Sequence, residues 1–308
     1  MTQTTSSPYD GTGHQSPQWW PSRYGADDEI GAANELTEDR TIAALQIPRE
    51  GRIIELTRVI EPGIPIYPPR HWNQLILGHD SLEGLRREEN ESDFGAFEEV
   101  VSQSYQIGCH LDALGHVTID GRFYNGNHYR DVFTPTGMKK FGVERVGPWV
   151  SRGVCLDIAA VLGTDRLRGG FSIQPEHLEA AENRQGIQVQ SGDAVLVHTG
   201  WGSLWGSDNP KYAATEPGVG WDGAHWLTER RVSLVAADNW GFEPVPFEIE
   251  VRPFVVHQHL IAESGTYVLE NVDTSVLARE AISAFLFILT PIKTAGSTAS
   301  MVSPLALI

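Results

Sequence analysis

The sequence predicts a single domain of the mixed α/β or α+β class, and three observations lead to this prediction. Short apolar runs typical of buried strands recur along the chain, a few helical segments lie between them, and no repeat or linker divides residues 50–308. The length of 308 residues allows one large domain or two medium ones. With 41% apolar and 20% charged residues, the chain has the composition of a globular protein rather than of a disordered one.

The first fifty residues are predicted to form an N-terminal extension, followed by one domain over residues 51–308. Residues 1–18 are rich in Ser, Thr, Gly and Pro and are expected to form a loose arm. Residues 37–49 have helical spacing of apolar side chains, with Thr37 suited to the start and Pro48 marking the end.

The main domain alternates predicted strands with helices and two polar or proline-rich stretches. Four prolines between residues 62 and 69 impose an extended loop. The charged stretch 78–95 is expected to be a solvated excursion or a lid. The predicted strands are 52–60, 99–107, 154–158, 194–199, 232–237, 268–272 and 285–291, and the predicted helices are 175–184 and 221–231.

The charge and composition exclude several classes of function. The formal net charge is −17, which disfavours nucleic acids and anionic membrane surfaces because both attract basic clusters. The sequence has no run of about 18 apolar residues, so no membrane span is predicted. The N-terminus lacks the pattern of a signal peptide. Only two cysteines, Cys109 and Cys155, are present, so a reducing compartment is the natural interpretation. We therefore expect a cytoplasmic protein.

The segment 106–116, QIGCHLDALGH, concentrates side chains that bind metals. Side chains at i and i+2 share one face of an extended chain, with Cα atoms about 6.5–7 Å apart. His110 and Asp112 have this spacing and can converge on one divalent cation. His116 follows a glycine that permits a turn, so it can face the same cavity as a third ligand or as a proton carrier.

Two further groups of residues complete the candidate site. The run His257-Gln258-His259 precedes Glu270, but consecutive residues cannot all point one way, so at most one or two of the three reach a shared site. Aromatic residues in Gly- and Pro-rich loops can together wall a pocket for a flat, apolar substrate. They are Tyr67, Trp72, Phe123, Tyr124, Trp201 and Trp240.

The segment 106–116 resembles the signature H-x-G-T-H-x-D-x-P-x-H of the cyclase-like metal-dependent hydrolases, a family that includes bacterial kynurenine formamidase and isatin hydrolase. Gly108, His110, Asp112 and His116 match the signature. Further blocks match in order and extend the resemblance from residue 52 to about residue 290. They are ELTRVIEPGIPIYPP, GRFYNG, GDAVLVHTGW, LVAADNWGFEP and HQHLIAESGTYVLENV.

The chain departs from the family pattern at several positions. Gln106 stands for the first His of the signature, Cys109 for its Thr and Leu114 for its Pro. Aligning Glu270 with the C-terminal block places Gln258 at the late metal-ligand position, with His257 and His259 one residue away on either side. The loss of imidazoles makes a two-metal centre of the kynurenine formamidase type doubtful, and isatin hydrolase is the better template.

This resemblance implies one divalent ion held by His110, Asp112 and Gln258, with His257 or His259 as the alternative to Gln258. Mn²⁺ is favoured because oxygen donors with one imidazole suit it, and Zn²⁺ is the alternative. The resemblance also implies a swivelling β/β/α fold in which helices flank a mixed sheet, and a homodimer or homotetramer.

The implied function is that of a metal-dependent hydrolase that cleaves an amide, lactam, lactone or ester bond of a small cyclic or aromatic molecule with a metal-activated water. His116 is then expected to carry the proton of the water, His259 to orient the substrate or stabilise the oxyanion, and Glu270 to hold a metal ligand in place or to support the site from behind the ligands. Two alternatives stay open: a cyclase or dehydratase that uses the metal as a Lewis acid, and a small-molecule binding protein of the same fold with weak catalysis.

Overall fold

A nine-stranded mixed sheet forms the centre of the computed structural model, which describes residues 18–78 and 96–308. Smaller two-stranded pairings accompany it. The strands are β1 (Ile53–Glu55), β2 (Trp72–Leu77), β3 (Glu98–Gln103), β4 (His110–Asp112), β5 (Phe133–Thr134), β6 (Gly137–Met138), β7 (Trp149–Asp157), β8 (Ser172–Ile173), β9 (Ala194–His198), β10 (Gly218–Val219), β11 (Leu234–Ala237), β12 (Tyr267–Glu270), β13 (Ala284–Leu289), β14 (Ala299–Met301) and β15 (Leu305–Leu307).

The large sheet has the order β1-β15-β13-β7-β9-β11-β12-β4-β14. The four strands β7, β9, β11 and β12 run parallel, and the strands on both flanks pair antiparallel. Because parallel strands have both faces covered, their sequences are nearly continuous apolar runs. This applies to β11, in which all four residues are buried.

The helices are short and cover the faces and ends of the sheet. They are α1 (Glu38–Ala44), α2 (Tyr129–Val132), α3 (Ile158–Val161), α4 (Pro175–Gln185), α5 (Asn209–Ala214), α6 (Trp221–Glu229), α7 (Val255–His257) and α8 (Ser275–Arg279). A π-helical turn, Gln258–Glu263, continues α7. Helix α4 begins with a proline in its first turn and ends at Gly186, which has φ 64° and so adopts the left-handed conformation that glycine permits. No helix in the described ranges is long and apolar enough to cross a membrane.

The predicted mixed α/β class is confirmed, and most predicted elements exist with adjusted bounds. The helix predicted over residues 37–49 ends at Ala44, with Thr37 as its N-cap. The strand predicted over 52–60 is reduced to β1, because the chain after Glu55 leaves the sheet. Trp72, predicted in a loop, begins strand β2 instead. Residues 1–17 of the predicted arm and residues 79–95 of the predicted lid lie outside the described residues.

The N-terminal extension packs against the main domain through buried polar contacts. Ala32 N donates to Gly265 O at 2.8 Å, and a Cβ at Gly31 would meet that same carbonyl oxygen at 2.3 Å. The buried Glu35 accepts from Tyr24 and Ser191 and pairs with Arg231. Position 31 therefore needs glycine both for its φ of 53° and for the close approach of the two chain segments.

Candidate metal centre

Strands β4 and β12 bring the first members of the site together. They pair antiparallel, with His110 opposite Glu270 and Asp112 opposite Val268. The turns beside them depend on left-handed residues, Gly108 with φ 56° and Asn271 with φ 58°. Asn271 Nδ2 donates to Gly108 O, and His110 Nδ1 contacts the same carbonyl oxygen at 2.9 Å. This carbonyl can only accept, so Nδ1 of His110 carries the proton and Nε2 is free to bind a ligand.

His110, Asp112 and Glu270 form a buried group whose ligand atoms lie within 4.8 Å of one another. His110 Nε2 is 3.1 Å from Glu270 Oε2 and 3.8 Å from Asp112 Oδ1. The three side chains are at most 2% exposed. None of these three atoms has a hydrogen-bond partner outside the group. Buried polar atoms without a partner are costly, so three that face one another need a common partner.

A divalent cation meets this need. Ions such as Zn²⁺ bind imidazole nitrogen and carboxylate oxygen at about 2.0–2.2 Å, which allows ligand atoms to be up to about 4.4 Å apart. The spacings of 3.1 and 3.8 Å fall within this range. One imidazole with two carboxylates also suits Mn²⁺, whose preferred ligands are mainly oxygens. The residues present therefore fit a divalent ion.

A second layer of buried groups holds Glu270 in place. His257 Nε2 is 3.0 Å from Glu270 Oε1, and its Nδ1 is 2.6 Å from Glu243 Oε1. Glu243 also accepts from the backbone N–H groups of Val256 and His257. The result is a chain from Glu243 through His257 to Glu270, in which the oxygen of Glu270 that faces His110 stays free.

The contacts from Glu243 through His257 to Glu270 favour the charged forms of these side chains although they are buried. Burial lowers the pKa of His257, but the carboxylates of Glu243 and Glu270 outweigh it and raise that pKa well above its ordinary value. Burial raises the pKa of Glu270, but His110 and His257 together hold it well below its ordinary value. The Glu270 carboxylate is therefore ionised and available as a ligand at neutral pH.

His116 lies next to the three candidate ligand residues. Its Nε2 is 3.7 Å from Asp112 Oδ2, and a quarter of the side chain is exposed. Gln106 Nε2 lies 3.4 Å from His116 Nδ1 and 3.2 Å from Thr298 Oγ1. Burial of the ring lowers the pKa of His116, with a further contribution from the charge on His257, although Asp112 opposes the shift. A histidine that is neutral at pH 7 and partly open can accept a proton.

Two of the six predicted aromatic residues lie beside this centre. Tyr67 stacks on Trp240 with ring centroids 4.8 Å apart and planes at 16°. Both line a recess that also includes Gln106, Gly108 and Arg70, whose Nη1 donates to Gln106 O. Tyr67 is 48% exposed, so this aromatic pair has a side open to solvent on which a flat molecule can pack.

The other four aromatic residues occupy different surroundings. Phe123 and Tyr124 are buried and pack against Phe141. Trp201 is 1% exposed in a core cluster that also includes Trp240, and its Nε1 donates to Tyr212 O. Trp72 lies in the β2–β3 pair opposite Gln103. Phe123, Tyr124 and Trp201 are thus buried in packed surroundings, and their contact with a substrate stays a prediction.

His259 belongs to a separate cluster. Its ring stacks on His225 at 3.7 Å and contacts Thr228 and Glu263. Gln258 begins the π-helical turn and is half-buried. The residue of the HQH run that reaches the centre is His257, through Glu270. The roles predicted for His259 and Gln258 stay predictions.

Sequence reasoning did not find Glu243 and Arg70. Glu243 lies in the block LVAADNWGFEP, where nothing in the local pattern distinguishes a buried carboxylate from a surface one. Arg70 follows the proline-rich loop, and its proximity to Gln106 depends on the tertiary path of that loop.

The sequence also matches the model of a known protein family. Residues 54–244 match the Cyclase family model, described as "Putative cyclase". That span is more than half of the chain. The curated proteins contain no significant match.

Solved structures agree with this match. A protein described as a novel cyclase is 26% identical, with a TM-score of 0.83 and coverage of 92% of this chain and 96% of its own. Isatin hydrolase A from Ralstonia solanacearum is 19% identical, with a TM-score of 0.61 over 86% of this chain and 93% of its own. A "potential metal-dependent hydrolase with cyclase activity" is 15% identical, with a TM-score of 0.53 over 83% of this chain and 98% of its own. The last two likenesses concern the fold.

Proposed function

Because the chain belongs to the cyclase family, we propose that it is a metal-dependent hydrolase that cleaves an amide, lactam, lactone or ester bond of a small cyclic or aromatic molecule. The observation that carries this proposal is the set of three buried, facing atoms without partners on His110, Asp112 and Glu270. The structural neighbours described as isatin hydrolase and as metal-dependent hydrolases support the same class of reaction.

His110, Asp112 and Glu270 would hold the ion, with Gln258 as a further candidate ligand. A bound divalent ion supplies Lewis acidity at a carbonyl oxygen and lowers the pKa of a water molecule. We favour one Mn²⁺, with Zn²⁺ as the alternative, because two carboxylates and one imidazole form a mainly oxygen-donor set.

The other residues of the site handle the proton and the substrate. His116 accepts a proton from the attacking water and returns it to the leaving nitrogen or oxygen, while Asp112 Oδ2, 3.7 Å from Nε2, stabilises the charged ring. Gln106, which contacts both His116 and Thr298, fixes the ring orientation. Tyr67 and Trp240 pack against the flat part of the substrate.

A screen of cyclic amides, lactones and aryl formamides with Mn²⁺-loaded and Zn²⁺-loaded protein tests the proposal. We expect metal-dependent release of a carboxylic acid from at least one class, and loss of this activity in Asp112→Asn. Mass spectrometry of the products distinguishes hydrolysis, which adds one water, from cyclisation or dehydration, which removes one. Ligand binding without turnover in the whole panel would instead favour a binding protein and would contradict the proposal.

We also propose that the chain forms a homodimer or homotetramer. The β2–β3 pair joins no other strand among the described residues, and it exposes Leu75, Ile76, Val100 and Val101 at 46–57% of their surface. Two isolated strands are marginally stable in water, and apolar patches of this kind mark interfaces. Light scattering should give a mass of two or four times the chain mass of 34.0 kDa. A monomer mass would contradict the proposal, and Leu75→Glu should dissociate the assembly.

A further inference from the structure

A second cleft, of about 690 Å³, lies on the same edge of the sheet as Glu270 but is lined by other residues. It includes Asp157 and His198, the last residues of β7 and β9, and Asp238, which follows β11. Ligands of open α/β sheets bind at the carboxyl ends of parallel strands. No residue of the candidate metal centre lines this cleft.

The cleft contains a buried arginine that is poorly compensated. The side chain of Arg58 is 11% exposed. Its Nε has no hydrogen-bond partner, its Nη2 reaches Val272 O only at 3.4 Å, and its nearest carboxylate oxygen, on Asp273, is 4.0 Å away. A buried charge without a close counter-ion is unfavourable, so a guanidinium in this position calls for an anion.

The fold makes room for this guanidinium. A Cβ at Gly202 would meet Arg58 Nη2, so the lack of a side chain at position 202 lets the guanidinium lie close to the backbone there. On its other side, the guanidinium lies over the ring of Trp205, with its carbon 5.5 Å from the ring centroid. Arg58 is therefore held between a glycine and an aromatic plane rather than by a carboxylate.

Three of the four carboxylates that line the cleft accept hydrogen bonds from the protein. Asp238 accepts from Thr199 N and Oγ1 through one oxygen and from Gly202 N through the other. Asp157 accepts from Ala160 N, and Asp273 accepts from Ser275 N. The nearest carboxylate oxygen to the guanidinium of Arg58 is 4.0 Å away, so Arg58 has no close counter-ion in the cleft despite these acidic residues.

His198 supplies a second group. Its Nδ1 is 2.7 Å from Thr274 Oγ1, so one ring nitrogen is held by the protein and the ring has a fixed orientation. The exposed Arg184 also lines the cleft and adds positive charge at its rim, whereas Arg279 is paired with Glu280. Trp205 offers a flat apolar surface beside Arg58.

We propose that this cleft binds a small organic oxyanion, which pairs with the guanidinium of Arg58, contacts His198 and packs its apolar part against Trp205. Carboxylates and phosphates share this chemistry, because both match the planar fork of an arginine. The proposal does not depend on the function assigned to the metal centre.

Calorimetric titration with benzoate and with inorganic phosphate tests the proposal. We expect saturable binding at one site per chain for at least one of the two probes, and binding by one probe alone assigns the ligand class. Hydrogen bonds to charged groups contribute about 1.5–3 kcal/mol, so Arg58→Gln should weaken binding at least about tenfold. His198→Asn, which keeps a polar group near Thr274, should weaken it less. Circular dichroism checks that the variants fold. If Arg58→Gln does not fold, His198→Asn and Arg184→Gln test the proposal in its place.

Two controls separate this site from the rest of the protein. Asp112→Asn alters the metal centre and should leave binding of the probe unchanged, whereas loss of binding in this variant would place the probe at the metal and overturn the proposal. Arg130→Gln removes an equal charge from an arginine whose contacts are with Tyr129, outside the cleft, and should also have no effect. The proposal is equally overturned if neither probe binds or if the folded cleft variants bind as well as the wild type.

Discussion

Replacement of Glu243 by glutamine should weaken metal binding although Glu243 does not touch the ion site. The substitution keeps the size of the side chain and removes its charge. Glu243 Oε1 lies 2.6 Å from His257 Nδ1, and His257 Nε2 lies 3.0 Å from Glu270 Oε1. Glu243 therefore acts on the candidate ligand Glu270 through the ring of His257, and it is a positioning residue.

The size of the effect follows from the contacts that are lost. A buried hydrogen bond to a charged group contributes about 1.5–3 kcal/mol. Loss of an outer partner of a metal ligand typically costs about 10–100-fold in metal affinity. That range corresponds to about 1.4–2.7 kcal/mol, so the two approaches agree. We expect the dissociation constant for Mn²⁺ to rise about 10–100-fold in Glu243→Gln.

Competition with a fluorescent chelator measures this constant, and Glu263→Gln is a matched control. Glu263 contacts His259 at 2.8 Å in the separate histidine cluster, so its substitution removes a similar Glu–His contact away from the ion site. The control should bind Mn²⁺ like the wild type. The reasoning is refuted if folded Glu243→Gln keeps wild-type affinity, or if both variants lose affinity equally.

Three further predictions concern catalysis and stability. His116→Gln should lower kcat by about a hundredfold to ten-thousandfold while the metal content measured by elemental analysis stays the same; an unchanged kcat would exclude His116 as the proton carrier. Tyr67→Leu should raise KM about two- to tenfold with little change in kcat, because one aromatic contact is lost; an unchanged KM would show that the substrate packs elsewhere. Burial opposes ionisation of Glu35, but hydrogen bonds from Tyr24 and Ser191 and the charge of Arg231 lower its pKa from 4.5. The ionised form of Glu35 therefore stabilises the fold above pH 4.5, and this contribution is lost as the pH falls through the lower folded-state pKa. Glu35→Gln should lower the free energy of unfolding by about 1–3 kcal/mol at pH 7 and by less in acid. The Tm of wild type and variant, measured in urea as a function of pH, checks this, and identical pH profiles of the two proteins would contradict it.

The sequence predicts the elements of the sheet well because buried parallel strands are continuous apolar runs. Strands β9, β11 and β12 lie within one or two residues of their predicted bounds. The strand predicted over residues 52–60 is much shorter, since the chain leaves the sheet after Glu55: Leu56 is buried and its backbone bonds to Pro304 and Asp273, whereas Val59 is exposed. Local patterns do not distinguish these two uses of an apolar run.

The candidate site was predictable only where its chemistry is local. His110 and Asp112 point to the same candidate metal site because β4 is extended, as their two-residue spacing predicted. That His257 rather than His259 reaches Glu270 depends on the phase of the short helix α7 and the π-helical turn after it. The aromatic residues divide between pocket and core according to tertiary packing, which composition does not encode.

We propose that His110, Asp112 and Glu270 together bind one divalent ion, and anomalous diffraction from crystals grown with Mn²⁺ shows whether they do. We expect one strong peak about 2.0–2.2 Å from His110 Nε2, Asp112 Oδ1 and Glu270 Oε2. A peak elsewhere in the molecule, or none at saturating Mn²⁺ and neutral pH, would contradict it.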